Sequence, residues 1–383
     1  MLTGFLGRTL PVAAAALAAV TSTACAAGAP DAAATAAPGA SAASPAATPG
    51  WRIVKMLHIV QMGGLSVRGT RDAWLAGDSC ADAQCDRDTV IVRHWDGTAW
   101  RVVPSPKAVT AFTDDAGVGA VAASSASNAW VFSTRGSDVT DTTALHWTGK
   151  GWAPPVRLAA DIDTAVTLSA SDTWAFGAPA SDPQAGYIAH FDGRTWSRGS
   201  FPVQVTDASA LSASDIWAGG VQGAAADESA VIEHWNGKAW RETPLPSLGI
   251  ATGSWIGMSV TAVTPRDVWA EVGTQGDGTQ GSYLLHWNGN AWARVTLSCP
   301  GSVTSPVAPD GHGGVWVASA VASSAMAWFC HDADGHWTKT LVPRHAGEQP
   351  GIDSLAWIPG TRSLWAAGGF DADAGEAILK YGP

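Results

Sequence analysis

From Gly50 onward the chain is a succession of short apolar runs, such as Ala165-Val166-Thr167-Leu168 and Val231-Ile232-Glu233-His234-Trp235, separated by polar turns rich in Ser, Asp, Asn and Gly. The apolar positions alternate or run together and do not recur at three- and four-residue spacing, which predicts strands and not helices. Two punctuation marks recur with the runs. The first is a small polar turn leading into Asp-x-Trp, clearest at Asp72-Ala73-Trp74, Asn128-Ala129-Trp130, Asp172-Thr173-Trp174, Asp215-Ile216-Trp217 and Asp267-Val268-Trp269, with degenerate copies at Gly314-Val315-Trp316 and Ser363-Leu364-Trp365. These seven copies lie 56, 44, 43, 52, 47 and 49 residues apart. The second is His-Trp-Asp-Gly-x-x-Trp at residues 94–100, repeated at 146–152, 190–196, 234–240 and 286–292 and more loosely at 331–337.

Each repeat converts into four strands. A first run ends at a Ser/Asp turn whose side-chain oxygens can bond nearby backbone N–H groups. The Trp of Asp-x-Trp starts the second strand, a loop of variable length follows, and the third strand runs into the His-Trp motif. Asn236-Gly237 predicts a type I′ hairpin with positive φ at both residues. The fourth strand opens at the second Trp and stops at prolines such as Pro244 and Pro246. Four strands in a period of about 48 residues predict an all-β propeller of seven blades. The seventh repeat stops after its third strand at Tyr381, while Gly50-Trp51-Arg52-Ile53-Val54 matches the missing fourth. The N-terminal strand is therefore expected to complete the last blade and close the ring, leaving no open sheet edge.

The pattern resembles the propeller repeats of secreted actinobacterial proteins, which are similar to the kelch and galactose-oxidase-like propellers. The resemblance covers residues 50–383 and implies architecture; such folds host binders and enzymes alike. Ahead of it, residues 1–25 hold Arg8, a short alanine-rich apolar stretch and Thr21-Ser22-Thr23-Ala24-Cys25, an export signal. The cysteine after small residues resembles a bacterial lipobox, which implies lipidation of Cys25. Ser22 stands where that motif prefers Leu, Val or Ile, and Ser22-Thr23-Ala24 also suits ordinary signal-peptidase cleavage. Residues 26–49, nearly all Ala, Pro, Ser, Thr and Gly, read as a flexible linker. The expected location is the outer face of the cytoplasmic membrane or the medium.

Composition narrows the chemistry. The net charge of −11 argues against nucleic acid and against an anionic membrane surface as partners, leaving a lipid anchor as the expected membrane contact. With Cys25 set aside, four cysteines allow three pairings; Cys80–Cys85 and Cys299–Cys330 are the local ones and are preferred. The repeated histidines and motif aspartates fall at equivalent places around a ring, so they cannot converge on one ion and are expected to be scaffold. Only Tyr187, Tyr283 and Tyr381 exist, too few and too peripheral for a copper-radical site; no cofactor is expected.

Candidate site residues are those that do not repeat. Asp114, Asp115, Asp161, Asp163, Asp207 and Asp353 fall in inter-blade connections or first strands, the innermost positions, and are the candidates for paired-carboxylate catalysis. Trp255, outside the repeat, is the candidate for stacking on a sugar or peptide, against packing across the channel mouth. Asp371, Asp373 and Glu376 place hard oxygens at alternate positions as in half of a calcium loop, but without a later bidentate Glu, so a solvated loop competes. The expected function is an exported, lipid-anchored binding or scaffolding protein at the cell surface, with a protein or glycan on the variable-loop face and a monomeric state. The alternative is a polysaccharide-active hydrolase or lyase.

Overall fold

In the computed structural model the described residues are 49–57, 59, 61–80, 88–104, 117–134, 141–223, 228–276, 279–304, 306–321, 326–370 and 375–382. Cys25 and Cys85 therefore lie outside them, as do Asp114, Asp115, Asp371 and Asp373. The chain starts with β1 (Trp51–Leu57) and then runs blade by blade. Blade I is β2 (Gln61–Gly69), β3 (Asp72–Cys80), β4 (Asp88–Trp95) and β5 (Trp100–Val103). Blade II is β6 (Val118–Ser125), β7 (Asn128–Thr134), β8 (Thr142–Trp147) and β9 (Val156–Leu158). Blade III is β10 (Ala160–Ser169), β11 (Asp172–Pro179), β12 (Gly186–Phe191) and β13 (Trp196–Phe201). Blade IV is β14 (Gln204–Ser212), β15 (Asp215–Gln222), β16 (Ser229–Trp235) and β17 (Trp240–Glu242). Blade V is β18 (Trp255–Thr264), β19 (Asp267–Gly276), β20 (Thr279–Trp287) and β21 (Trp292–Val295). Blade VI splits its inner strand into β22 (Ser302–Val303) and β23 (Ala308–Pro309), both paired with β24 (Val315–Val321), before β25 (Met326–Ala333) and β26 (His336–Leu341). Blade VII is β27 (Ser354–Trp357), β28 (Leu364–Gly369), β29 (Glu376–Tyr381) and, as its outer strand, β1.

All seven sheets are antiparallel, and β1 pairs with β29 from Trp51↔Tyr381 to Leu57↔Glu376. Trp51 thereby fills the place that the second motif Trp holds in other blades. It stacks on Phe329 with centroids 3.7 Å apart and meets Trp316 edge-on at 5.7 Å, both in blade VI. The same contact recurs around the ring. Trp130 of blade II packs on Phe191 and Trp196 of blade III, Trp174 on Trp235 and Trp240, and Trp217 on Trp287 and Trp292. A single four-stranded sheet cannot cover both of its faces, so each blade buries its Trp of Asp-x-Trp against the next.

Each motif histidine is scaffold too. His94, His190, His234 and His286 bond the Asp of their own Asp-x-Trp at 2.9 Å, and His146 bonds Asn128 at 2.7 Å. Each lies against the intervening Trp, as in Trp174–His190 at 4.0 Å. Blade VI has Gly314 where the Asp should be; Asp310, earlier in the turn, reaches His331 at 2.9 Å instead. In blade VII, Lys380 takes the histidine's register opposite Trp365 and sets its ammonium 5.7 Å from the ring centroid.

The hairpin at Asn236-Gly237 differs from expectation. Gly237 has φ of 86°, but Asn236 is not in the left-handed region. Trp235 pairs with Trp240, so the loop is four residues long, and the Asn236 side chain accepts the N–H groups of Lys238 and Ala239. Asp96 and Asp192 cap their turns in the same way. A side-chain acceptor thus does the work that a second positive φ would do in a two-residue turn.

Candidate functional site

The seven inner strands surround a central channel of about 680 Å³. Its wall is mostly Gly, Ala, Ser, Thr and Val because neighbouring inner strands approach closely. A methyl group at Gly63 would lie 2.2 Å from the Val118 carbonyl, and one at Gly119 would lie 2.1 Å from that of Ile162. Short polar side chains bond the next blade: Ser66 accepts from Ala123 N–H, Thr206 from Met258 N–H and Ser209 from Ala262 N–H. Strand direction assigns the two faces of the ring. Turns between first and second and between third and fourth strands lie on one, the turn face. Loops between second and third strands and the connections between blades lie on the other, the loop face.

Of the candidate aspartates that are described, Asp163, Asp207 and Asp353 line the channel, whereas Asp161 belongs to β10 but not to the lining. Asp207 is committed to the scaffold. Its carboxylate accepts N–H groups of Val260 and Ala208, each at 2.9 Å, and a bond from the Thr164 side chain, so it ties β14 to both neighbouring blades. Burial outweighs those bonds and pushes its pKa up to about 7. Asp353, at the loop-face start of blade VII, is surrounded by protein yet open to the channel; burial raises its pKa to about 6, opposed by a bond from the Gly369 backbone.

Glu376 is not on a loop. It begins β29, is 3% exposed, and accepts the Met62 N–H across the seam between blades VII and I. The position has a structural meaning in other blades: Thr142 accepts Ile162 N–H and Ser282 accepts Val303 N–H at the same register. A glutamate there brings a second oxygen, Oε2, which has no hydrogen-bond partner among the described residues. Burial first, and then the charges of Asp353 and Asp78, push the Glu376 pKa up to about 8. Among the described candidate carboxylates, Asp353 and Glu376 are a pair close enough for the charge of one to act on the other. Only Asp353 faces the channel, however, so the two cannot bracket a substrate bound there. No group of three His, Cys, Asp or Glu side chains among the described residues is arranged to hold a metal ion.

Sequence inspection missed Glu271. It occupies the position that Phe132 and Phe176 hold in blades II and III, two residues after the motif Trp. It is 7% exposed, bonded by the Ser282 side chain, and burial raises its pKa to about 8. A glutamate in a register that the other blades fill with Phe, Ala or Gly was the available signal. Trp255 opens β18 on the loop face, is 43% exposed, and is not among the residues lining the channel. Its ring rests over Gly257, where a methyl group would come within 2.5 Å of it. The Cys299–Cys330 disulfide joins the connection entering blade VI to β25, with Cα atoms 5.9 Å apart.

No protein-family model matches the chain, and no curated protein matches its sequence. Solved structures do match its fold. A structure described as YCF48 bound to D1 peptide aligns with a TM-score of 0.58 at 12% identity, covering 87% of this chain and 97% of that one. A chain of the mitotic checkpoint complex aligns at 0.56 with 14% identity, over 90% and 98%. The β-propeller domain of the Trilobed protease from Pyrococcus furiosus, described as having an open velcro topology, aligns at 0.56 with 6% identity, over 84% and 93%. At these identities the likeness is one of architecture: this chain is a seven-bladed β-propeller.

Proposed function

We propose that the chain is an exported propeller, tethered through Cys25, that binds a protein ligand on its loop face with Trp255 as the aromatic anchor. The observation that carries this reading is the exposure of Trp255. The motif tryptophans Trp74, Trp130, Trp217 and Trp365 are fully buried between blades, whereas Trp255 offers a large amphipathic side chain to solvent beside the variable loops. Two of the architectural neighbours support a protein ligand, one bound to a peptide and one part of a protein assembly. Export and the lipid rest on the sequence of residues 1–49 alone.

The test is site-specific photocrosslinking in intact cells, with the reactive side chain at position 255 or, on the opposite face, at 238. A discrete adduct from 255 and none from 238 is the expected result; equal adducts, or none from 255, overturn the assignment. Palmitate labelling that persists in a Cys25→Ala variant would overturn the tether. The second reading, a polysaccharide hydrolase or lyase, draws on Asp353, a channel carboxylate with a raised pKa. It requires cleavage of cell-wall polysaccharide that Asp353→Asn abolishes.

A further inference from the structure

We infer that the protein ligand presents a lysine or arginine side chain to the seam between blades V and VI, where the cation packs on Trp255 and pairs with the carboxylate of Glu271. The inference rests on the assignment of Trp255 as the anchor for a protein ligand and gives that anchor its chemistry.

A pair of glycines brings the two side chains together. In β18 and β19 the Cα partners include Gly257↔Gly273 and Ser259↔Glu271. Directly opposed residues of an antiparallel pair point to one side of the sheet, with Cβ positions about 4.5–5.5 Å apart. That side faces blade VI, because the Ser259 hydroxyl accepts the Val307 N–H there. A methyl group on Gly257 would lie 2.5 Å from the six-membered ring of Trp255, and one on Gly273 would lie 3.3 Å from Oε1 of Glu271. The indole and the carboxyl therefore stand over adjacent points of one floor, in space that two ordinary side chains would fill. Trp255, opposite Gln275, is nearer the loop-face end of β19, and Glu271 lies deeper.

Glu271 is incompletely satisfied in this position. The Ser282 hydroxyl accepts the Val303 N–H and turns its own O–H to the Glu271 carboxyl. Oε1 has no hydrogen-bond partner among the described residues, and the side chain is only 7% exposed. The residues placed around it are Gly257, Ser259, Gly273, Ser282 and Val303, none of them ionisable. Arg294 on β21 is turned elsewhere. Its guanidinium lies 4.9 Å from the ring centroid of Tyr283, which packs into the cluster facing blade IV. Nor does the fold require a carboxyl here, since the same register holds Ala76, Phe132, Phe176, Gly219, Ala318 and Ala367 in the other blades. A buried acceptor without a donor is unfavourable, and an arriving donor removes the penalty.

Hydroxyl, amide and cationic groups all donate to a carboxyl, and the indole selects among them. An aromatic ring attracts a cation, the more so where water is excluded, and the bond from a cation to a carboxylate is the strongest of the three. Lysine and arginine also carry a slender apolar stem that can lie along the ring while the charged head reaches deeper. Burial raises the Glu271 pKa to about 8, with only the Ser282 bond opposing it. Pairing with a cation needs the ionised form, so below that pH the carboxyl releases its proton to solvent as the ligand binds.

The test uses the full chain and blocked peptides in which a central lysine, arginine or norleucine is flanked by glycines, with binding read by saturation-transfer NMR. The lysine and arginine peptides should bind, and the norleucine peptide, uncharged and of similar length, should not. Affinity for the cationic peptides should rise roughly tenfold between about pH 7 and pH 9, while both peptides stay charged. At about pH 9, Glu271→Gln should weaken binding roughly tenfold, and it should abolish the rise with pH. Trp255→Leu should weaken binding at every pH, and Asp182→Asn, which removes an exposed loop-face carboxylate, should change neither affinity nor pH profile. Circular dichroism and tryptophan emission matching the parent's establish that Glu271→Gln is folded; if it is not, the parent's pH profile and Trp255→Leu decide. Equal binding of the norleucine peptide, an affinity independent of pH, or a Glu271→Gln variant that binds like the parent overturns the inference. Failure of the anchor itself shows separately, as the absence of an adduct from position 255 in cells. An adduct there, with lysine and arginine peptides that do not bind, overturns the cation and leaves the anchor standing.

Discussion

Replacing Glu376 by Gln removes an ionisable group from the seam where the ring closes and keeps an oxygen that can accept the Met62 N–H. In the folded ring burial, with the charges of Asp353 and Asp78, raises the Glu376 pKa from 4.5 to about 8. A carboxyl whose folded pKa lies above its unfolded value favours folding while protonated. That contribution is complete below pH 4.5 and is lost as pH rises through about 8. The shift corresponds to a loss on the order of 4 kcal/mol between about pH 4 and pH 8. For a domain of this size that is a melting shift of roughly 5 °C. Differential scanning calorimetry at a fixed scan rate should find Glu376→Gln melting above the parent at about pH 8 and level with it at about pH 4. The parent itself should lose stability across this range, because Asp353, Asp207 and Glu271 have pKa values raised to about 6, 7 and 8. An equal shift at both pH values would refute the reasoning, and so would a variant less stable at the higher one, which would make the Glu376 carboxylate a stabilising group.

Trp51→Ala should cost about 3–5 kcal/mol in urea unfolding, because the side chain fills the contact with Phe329 and Trp316. Deleting residues 50–56 should cost more by exposing the whole edge of β29; a truncated protein that melts like the parent would contradict the closure. His234→Ala should cost about 1–3 kcal/mol, since Asp215 loses its 2.9 Å partner and Trp217 its stacked ring, and an unchanged urea midpoint would deny His234 a structural role. Reduction of Cys299–Cys330 opens a link spanning 31 residues and should lower stability by about 3 kcal/mol, read as the difference in midpoint with and without reductant.

The ring was legible in the sequence because its period is written in tryptophan, a residue too large to tolerate drift in register. Even the closing strand was legible, since Trp51 repeats the spacing of Trp100 and Trp152. Individual side chains read less well wherever a repeat position holds an unusual residue. Asp310 supplies the bond to His331 from a place where no other blade has an aspartate, and Glu376 resembled a loop ligand until β29 placed it at the register of Thr142 and Ser282. The channel-lining aspartates could be assigned to the inner strands from sequence, but not their engagement: nothing in the spacing of Asp207 shows that Val260 comes to meet it.

The pairing of Trp51 with Tyr381 spans 330 residues. The strand made first can find its partner only after the last has been synthesised, so the costliest loop closure in the molecule comes at the end of folding. Until then blade VII is three-stranded and β29 presents an unpaired edge to any other chain. Two unfinished rings in proximity could exchange their first strands and complete each other, giving interlocked dimers built from native contacts alone. The yield of such dimers should rise with protein concentration during refolding and fall when β1 is joined directly to β29 in a circular permutant.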